Sequence, residues 1–180
     1  FIILLRGINV SGHRPLKMLD LKMMLEKEGL ENIETYVQSG NVVFSSTESN
    51  PQKLEKQISS AIEKTFGYND IPIICLSADK LKKVVDQNPF ARDADKDHQF
   101  IHVTFLDGEP KPEGKGAIEE KKREGEEISY RDDVVYLYCP RGYGTSKLSN
   151  SFLENKLKVT ATTRNWKTTN KLLEIAGKMD

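Results

Sequence analysis

Two cysteines in 180 residues, no net charge and no long apolar run set the first limits on this chain. Cys75 and Cys139 both fall inside apolar, strand-like stretches, the setting of buried free thiols in a reducing cytoplasm rather than of a disulfide framework. Basic and acidic side chains number 27 each. No global field therefore draws the protein to nucleic acid or to an anionic membrane, and such binding would have to rest on a local patch. The longest apolar runs, "FIILL" at 1–5 and "VVYLYC" at 134–139, stop far short of the ~20 residues that span a bilayer. No charged segment precedes an apolar one at the start, so no secretory signal is expected and the expected location is the cytoplasm. The chain opens on Phe1 rather than Met, so leading residues are expected before it.

Signatures of metal and nucleophile chemistry are also missing. The three histidines, His13, His98 and His102, have no HExxH or CxxC company, and no serine stands in GxSxG. The stretch "PRGYGTSK" at 140–147 is no Walker loop, because Lys147 follows Ser146 and precedes Leu148. It is no dinucleotide fingerprint either, because position 147 is lysine where a glycine is needed. A phosphatase-type thiolate at Cys139 would need an arginine six positions on, where Thr145 stands. No metal and no cofactor is expected.

What is present is a regular alternation of elements. Phe1–Leu5 reads as a strand buried on both faces. Met18, Leu21 and Leu25 recur at helical spacing up to Gly29. Ile33–Gln38 and Val42–Ser46 flank "SGN" as a hairpin. Asn50 caps and Pro51 opens a helix whose apolar face is Leu54, Ile58, Ala61, Ile62 and Phe66. A strand at 71–76 and a short helix opened by Ser77 complete the first half. After the polar stretch 89–98 the same order returns, with a strand at 100–106, a charged helix in "GKGAIEEKKREG", a hairpin of 127–131 and 134–139, a helix through Leu148, Phe152, Leu153 and Leu157, a short strand in "KVTAT", and a last helix opened by "TTRNWKTTNK". The fold class expected is α+β: two similar ferredoxin-like (split βαβ) halves with antiparallel or mixed sheets and helices packed on one face. Residues 1–88 and 99–180 are the expected halves and 89–98 the linker. A single mixed α+β domain is the alternative.

This topology sorts the loops. In the first half it brings "RGIN" beside "QSGN", so that Arg6, Asn9, Gln38, Ser39 and Asn41 share one rim with Gly7 and Gly40, where glycine permits positive φ or close approach. In the second half it brings 140–147 beside "TTRN", both read as leading into helices. Lys147, Thr163, Arg164 and Asn165 at helix starts would make an anion site. The plainer reading of "TTRN" is a helix cap whose arginine pairs with a carboxylate, and both readings stay open. Tyr136 and Tyr138 should face away from the helices, alongside Phe100 and His102. Without the basic-glycine-aromatic run of an RNA-recognition motif, that face is expected to be an interface between halves or subunits rather than a stacking platform for bases.

With "LLRGINVSG", "YVQSGNVVF", "KLSNSFLENKL" and "ATTRNW" together, the chain resembles the bacterial family known as domain of unknown function 1697. Members typically read "LLRGINVGG", "TYIQSGNVVF" and "TTRNWNT" at these places; here Ser11 replaces a usual glycine and Lys167 a small or polar residue. The resemblance implies an α+β fold with two similar halves and implies no reaction. Its signature falls on Arg6, Gly7, Asn9, Gln38, Ser39, Gly40, Asn41, Lys147, Thr163, Arg164, Asn165 and Trp166. The function expected is binding of a small anionic ligand, a nucleotide or phosphorylated metabolite, with any catalysis limited to electrostatic stabilisation. A nucleic-acid-binding module and a structural or regulatory homodimer are the alternatives; nucleic acid is the less favoured partner, and no membrane partner is expected.

Overall fold

The structure, a computed structural model, describes residues 1–10 and 12–179; Ser11 and Asp180 lie outside the described residues. Among these residues the architecture is mixed α+β, with two four-stranded antiparallel sheets and six α-helices. The chain forms two compact units, Phe1–Lys82 with the stretch from Lys171 onward, and Lys83–Asn170. The division falls within helices rather than at the polar stretch 89–98. No helix among the described residues is long and apolar enough to cross a membrane.

The first unit contains β1 (Ile2–Leu5), α1 (Met18–Lys27), β2 (Glu31–Tyr36), β3 (Asn41–Ser45), α2 (Pro51–Phe66) and β4 (Ile73–Leu76), with sheet order β2-β3-β1-β4. Its helix α2 forms for the reasons its sequence carries. The Asn50 side chain accepts from the Lys53 amide at 3.2 Å, and Pro51 fills the first turn. Gly67 ends the helix in the left-handed region. Leu54, Ile58, Ala61 and Ile62 then fall on one buried face. They pack with Leu21, Met24 and Leu25 of α1 against Ile3, Leu5, Val42, Phe44 and Cys75. Each buried leucine, isoleucine, valine, methionine or phenylalanine among them contributes about 1.5–3 kcal/mol. The opposite face of the sheet is no less dry: Ile2, Leu4, Val43 and Ile74 are all buried.

Helix α3 (Ala78–Asp86) follows β4, with Ser77 accepting from the Lys80 amide. The second unit then holds β5 (Ile101–Leu106), α4 (Lys115–Lys121), β6 (Glu127–Arg131), β7 (Val134–Tyr138), α5 (Asn150–Leu157) and β8 (Ala161–Asn165), with sheet order β6-β7-β5-β8. Helix α6 (Trp166–Ala176) is the last element among the described residues. The core below this sheet joins Leu106, Val135, Leu137 and Ala161 to Ile118 of α4 and to Leu153 and Leu157 of α5.

Two expectations are corrected here. Thr162, Thr163 and Arg164 do not open a helix: they belong to β8, paired with β5 from Ala161 to Asn165. Threonine serves both as a helix cap and as a β-branched strand residue, and pairing to β5 decides between the two. The cap of α6 is Asn165, whose side chain accepts from the Thr168 amide at 2.8 Å. His102 does not share a face with Tyr136 and Tyr138, because it lies opposite Leu137 and Asn165 in register. Paired residues share a face, so His102 looks toward the helix side.

Candidate functional site

In the first unit β1 and β2 both run antiparallel to β3, so the end of β1 and the 37–40 turn meet at one edge. The Leu5 amide donates to the Gly40 carbonyl there at 2.8 Å. Gly40 is obligatory: its φ is +77°, and an added Cβ would lie 2.7 Å from Leu5 Cβ and 2.8 Å from Ile8 Cδ1. Asn9, also at positive φ, ties the two loops together. Its amide donates to the Leu16 carbonyl at 2.7 Å and the Gln38 carbonyl at 2.9 Å, and its oxygen accepts from the Leu16 amide at 2.8 Å. Asn41, fully buried, donates to the Tyr36 carbonyl and to Ser39 Oγ. The far side of the 6–16 loop is held by Tyr68, which donates to the Pro15 carbonyl at 3.0 Å, and by an Arg14–Asp70 ion pair. The Arg6 amide donates to the Pro72 carbonyl.

Of the five residues expected on this rim, Asn9 and Asn41 thus hold the loops in shape, while the Gln38 and Ser39 side chains are exposed and Arg6 is half-buried. The sequence stretches that build the rim are rich in basic residues, one of which, Arg14, pairs with Asp70. Arg6, His13, Arg14 and Lys17 fall in residues 1–19, which contain no carboxylate side chain, and residues 37–47 contain none either. That run of missing acids was readable in the sequence and identifies His13 and Lys17 as contributors.

The second unit repeats the juxtaposition with different chemistry. β7 and β8 flank β5 and both end beside its start, which brings the 140–150 segment to Thr163. The Thr163 hydroxyl donates to Asn150 Oδ1 at 2.6 Å, accepts from the Tyr143 hydroxyl at 3.2 Å, and meets Thr104 Oγ1 at 2.7 Å. Those three contacts fill its hydrogen-bonding capacity. His102 stacks on Tyr143 with centroids 4.8 Å apart, and burial lowers its pKa, which favours the neutral imidazole. Lys147 is exposed.

Arg164 does not join this group. Strand alternation turns it to the other face, beside Val103 and Tyr136 in register. It is 9% exposed and donates to Thr162 Oγ1 at 2.9 Å and to the Thr163 carbonyl at 3.0 Å. Burial pushes its guanidinium down to about 10. Lys147 and Arg164 are therefore not a matched pair at two helix starts.

On that same face Tyr136 is fully buried and donates to the Val84 carbonyl at 2.8 Å. Tyr138 is half-buried among Phe90, Phe100 and the Lys96 ammonium, which sits 4.6 Å from its ring centroid. The face is covered, and Tyr136 has no ring surface left to stack a base. Among the described residues no group of three or more His, Cys, Asp or Glu side chains could hold a metal ion.

A family model described as "Protein of unknown function (DUF1697)" matches residues 1–136, a span that includes the first rim and ends before 140–147 and 162–166. Among solved structures the chain is similar to a conserved bacterial protein, SP0830 from Streptococcus pneumoniae, with 21% identity over 97% of each chain and a TM-score of 0.73. At that identity the likeness is one of fold. None of the curated proteins compared matches the chain.

Proposed function

Because this chain belongs to DUF1697, a family of proteins of unknown function, we propose a function from the site alone: the rim of the first sheet binds a small anionic ligand such as a phosphorylated metabolite. The observation that carries this is the Asn9 bridge. It fastens the 6–16 loop, whose own sequence carries Arg6 and Arg14 and no carboxylate, to the 37–40 turn through Leu16 and Gln38, with Arg14 paired to Asp70. Left-handed backbone at Arg14 and Val37 supports the same reading, since strain at residues other than glycine collects where binding groups must be held ready. Arg6 and Lys17 supply charge; Gln38 and Ser39 supply hydrogen bonds; Asn9 and Asn41 act through the loops they hold.

The orders β2-β3-β1-β4 and β6-β7-β5-β8 support two ferredoxin-like halves related by duplication, and two buried free cysteines support a reducing, cytoplasmic setting.

The test is a thermal melt with inorganic phosphate, pyrophosphate and sugar phosphates, on the native protein and on Arg6→Ala. At ligand a hundredfold above Kd the linkage gain is about 2.7 kcal/mol, a rise in Tm of roughly 5–10 °C for a chain of this size. Arg6→Ala should lose most of that rise. No protection by any of these anions at millimolar concentration would overturn the proposal.

A further inference from the structure

Val10 and Val37 are large apolar side chains left in solvent, 57% and 50% exposed. Each stands one residue from an end of the Asn9–Gln38 hydrogen bond, so both belong to the rim described above. Val37 also has φ +53°. A β-branched side chain is crowded in the left-handed region, where glycine or asparagine is comfortable. A turn that needed only to close would carry one of those, as its neighbour Gly40 does. Here the backbone is strained, and the residue that carries the strain remains half exposed to water. The basic residues Arg6, His13 and Lys17 lie in the same carboxylate-free segment as Val10.

We propose that the ligand of this rim is amphipathic: an anion attached to a hydrocarbon or aromatic group, the charge facing Arg6 and Lys17 and the apolar part lying across Val10 and Val37. The inference rests on the reading that the rim binds an anion, and adds the class of anion. The occupant is a small molecule rather than a protein, because two half-exposed valines fall far short of the ~800 Å² per partner of a standard interface.

The experiment is calorimetric titration of the native protein with inorganic phosphate, glycerol phosphate and phenyl phosphate, repeated on Val37→Asn and on Val10→Ser/Val37→Asn. Phenyl phosphate should bind roughly tenfold more tightly than glycerol phosphate, as partial burial of a ring predicts. That ratio should fall toward one in the double variant. Val37→Asn should also raise Tm, since asparagine tolerates the left-handed backbone. If the three phosphates bind alike, or the ratio survives the double variant, the inference is overturned while the anion site stands. If no phosphate binds at all, the anion site itself is wrong and this inference falls with it.

Discussion

The two sheet edges collect the same kinds of residue and use them differently. At the first edge side-chain amides do the fastening. Asn9 and Asn41 bond to backbone carbonyls, and the turn between them presents Gln38 and Ser39 to solvent. At the second edge a hydroxyl does it: Thr163 gathers Thr104, Tyr143 and Asn150, and the arginine beside it is folded to the opposite face. Threonine, asparagine and arginine next to glycine read as ligand donors in both places. Burial separates the two cases. A donor whose bonds are already made inside the fold shapes a loop, and only one that reaches solvent can offer a new bond.

This contrast can be broken most forcefully at Gly40. Gly40→Ala adds left-handed strain to a clash with Leu5 and Ile8, together costing about 3 kcal/mol; the urea midpoint measures it, and anion binding should be lost with the turn. Arg164→Ala comes next. It strands the Thr162 hydroxyl in the interior and leaves a cavity, at about 2–3 kcal/mol. Its phosphate affinity should match that of the native protein, and a loss of affinity with unchanged stability would return Arg164 to the ligand site.

Removing the fasteners should cost less. Asn9→Ala and Thr163→Val each give up several bonds that are partly open to water, about 1–2 kcal/mol. Only Asn9→Ala should weaken phosphate binding, because only it loosens the first rim.

The smallest effects are in thiol chemistry, which reports on the units separately. Cys75 lies in the first core and Cys139 in the second, and burial pushes their thiols up to about 12 and about 11. Near pH 8 a thiol reagent should label each only when its own unit opens. Gly40→Ala should speed labelling of Cys75, and Arg164→Ala that of Cys139. The raised pKa values also fix a sign: the protonated thiols favour the fold fully below the unfolded value of 9.0, and that contribution fades as pH climbs through about 11 and about 12. Equal labelling of both cysteines in each variant would mean that the units do not open independently.

Much of the fold was legible because its determinants are local. The Asn50 cap, Pro51 and the spacing from Leu54 to Ile62 define α2 in sequence as they do in the structure. The rims were legible as neighbourhoods, since antiparallel pairing alone brings 6–9 to 38–41 and 140–147 to Thr163. The roles within them were not. Whether Thr162–Arg164 cap a helix or extend a strand depends on β5, some 60 residues away, and on which face the alternation then places each side chain. Phe90 sits among polar residues at 88–98, and nothing local shows that it is buried beside Tyr138.

The central claim, that the first edge takes the anion while Thr163 and Arg164 of the second are engaged inside the fold, is tested most directly by an amide-resolved NMR titration with inorganic phosphate. Saturable shifts at residues 6–9, 12–17 and 37–40, with 141–147 and 162–166 unmoved, are the result predicted. Saturable shifts confined to 141–147 and 162–166, or none anywhere at millimolar phosphate, would contradict it.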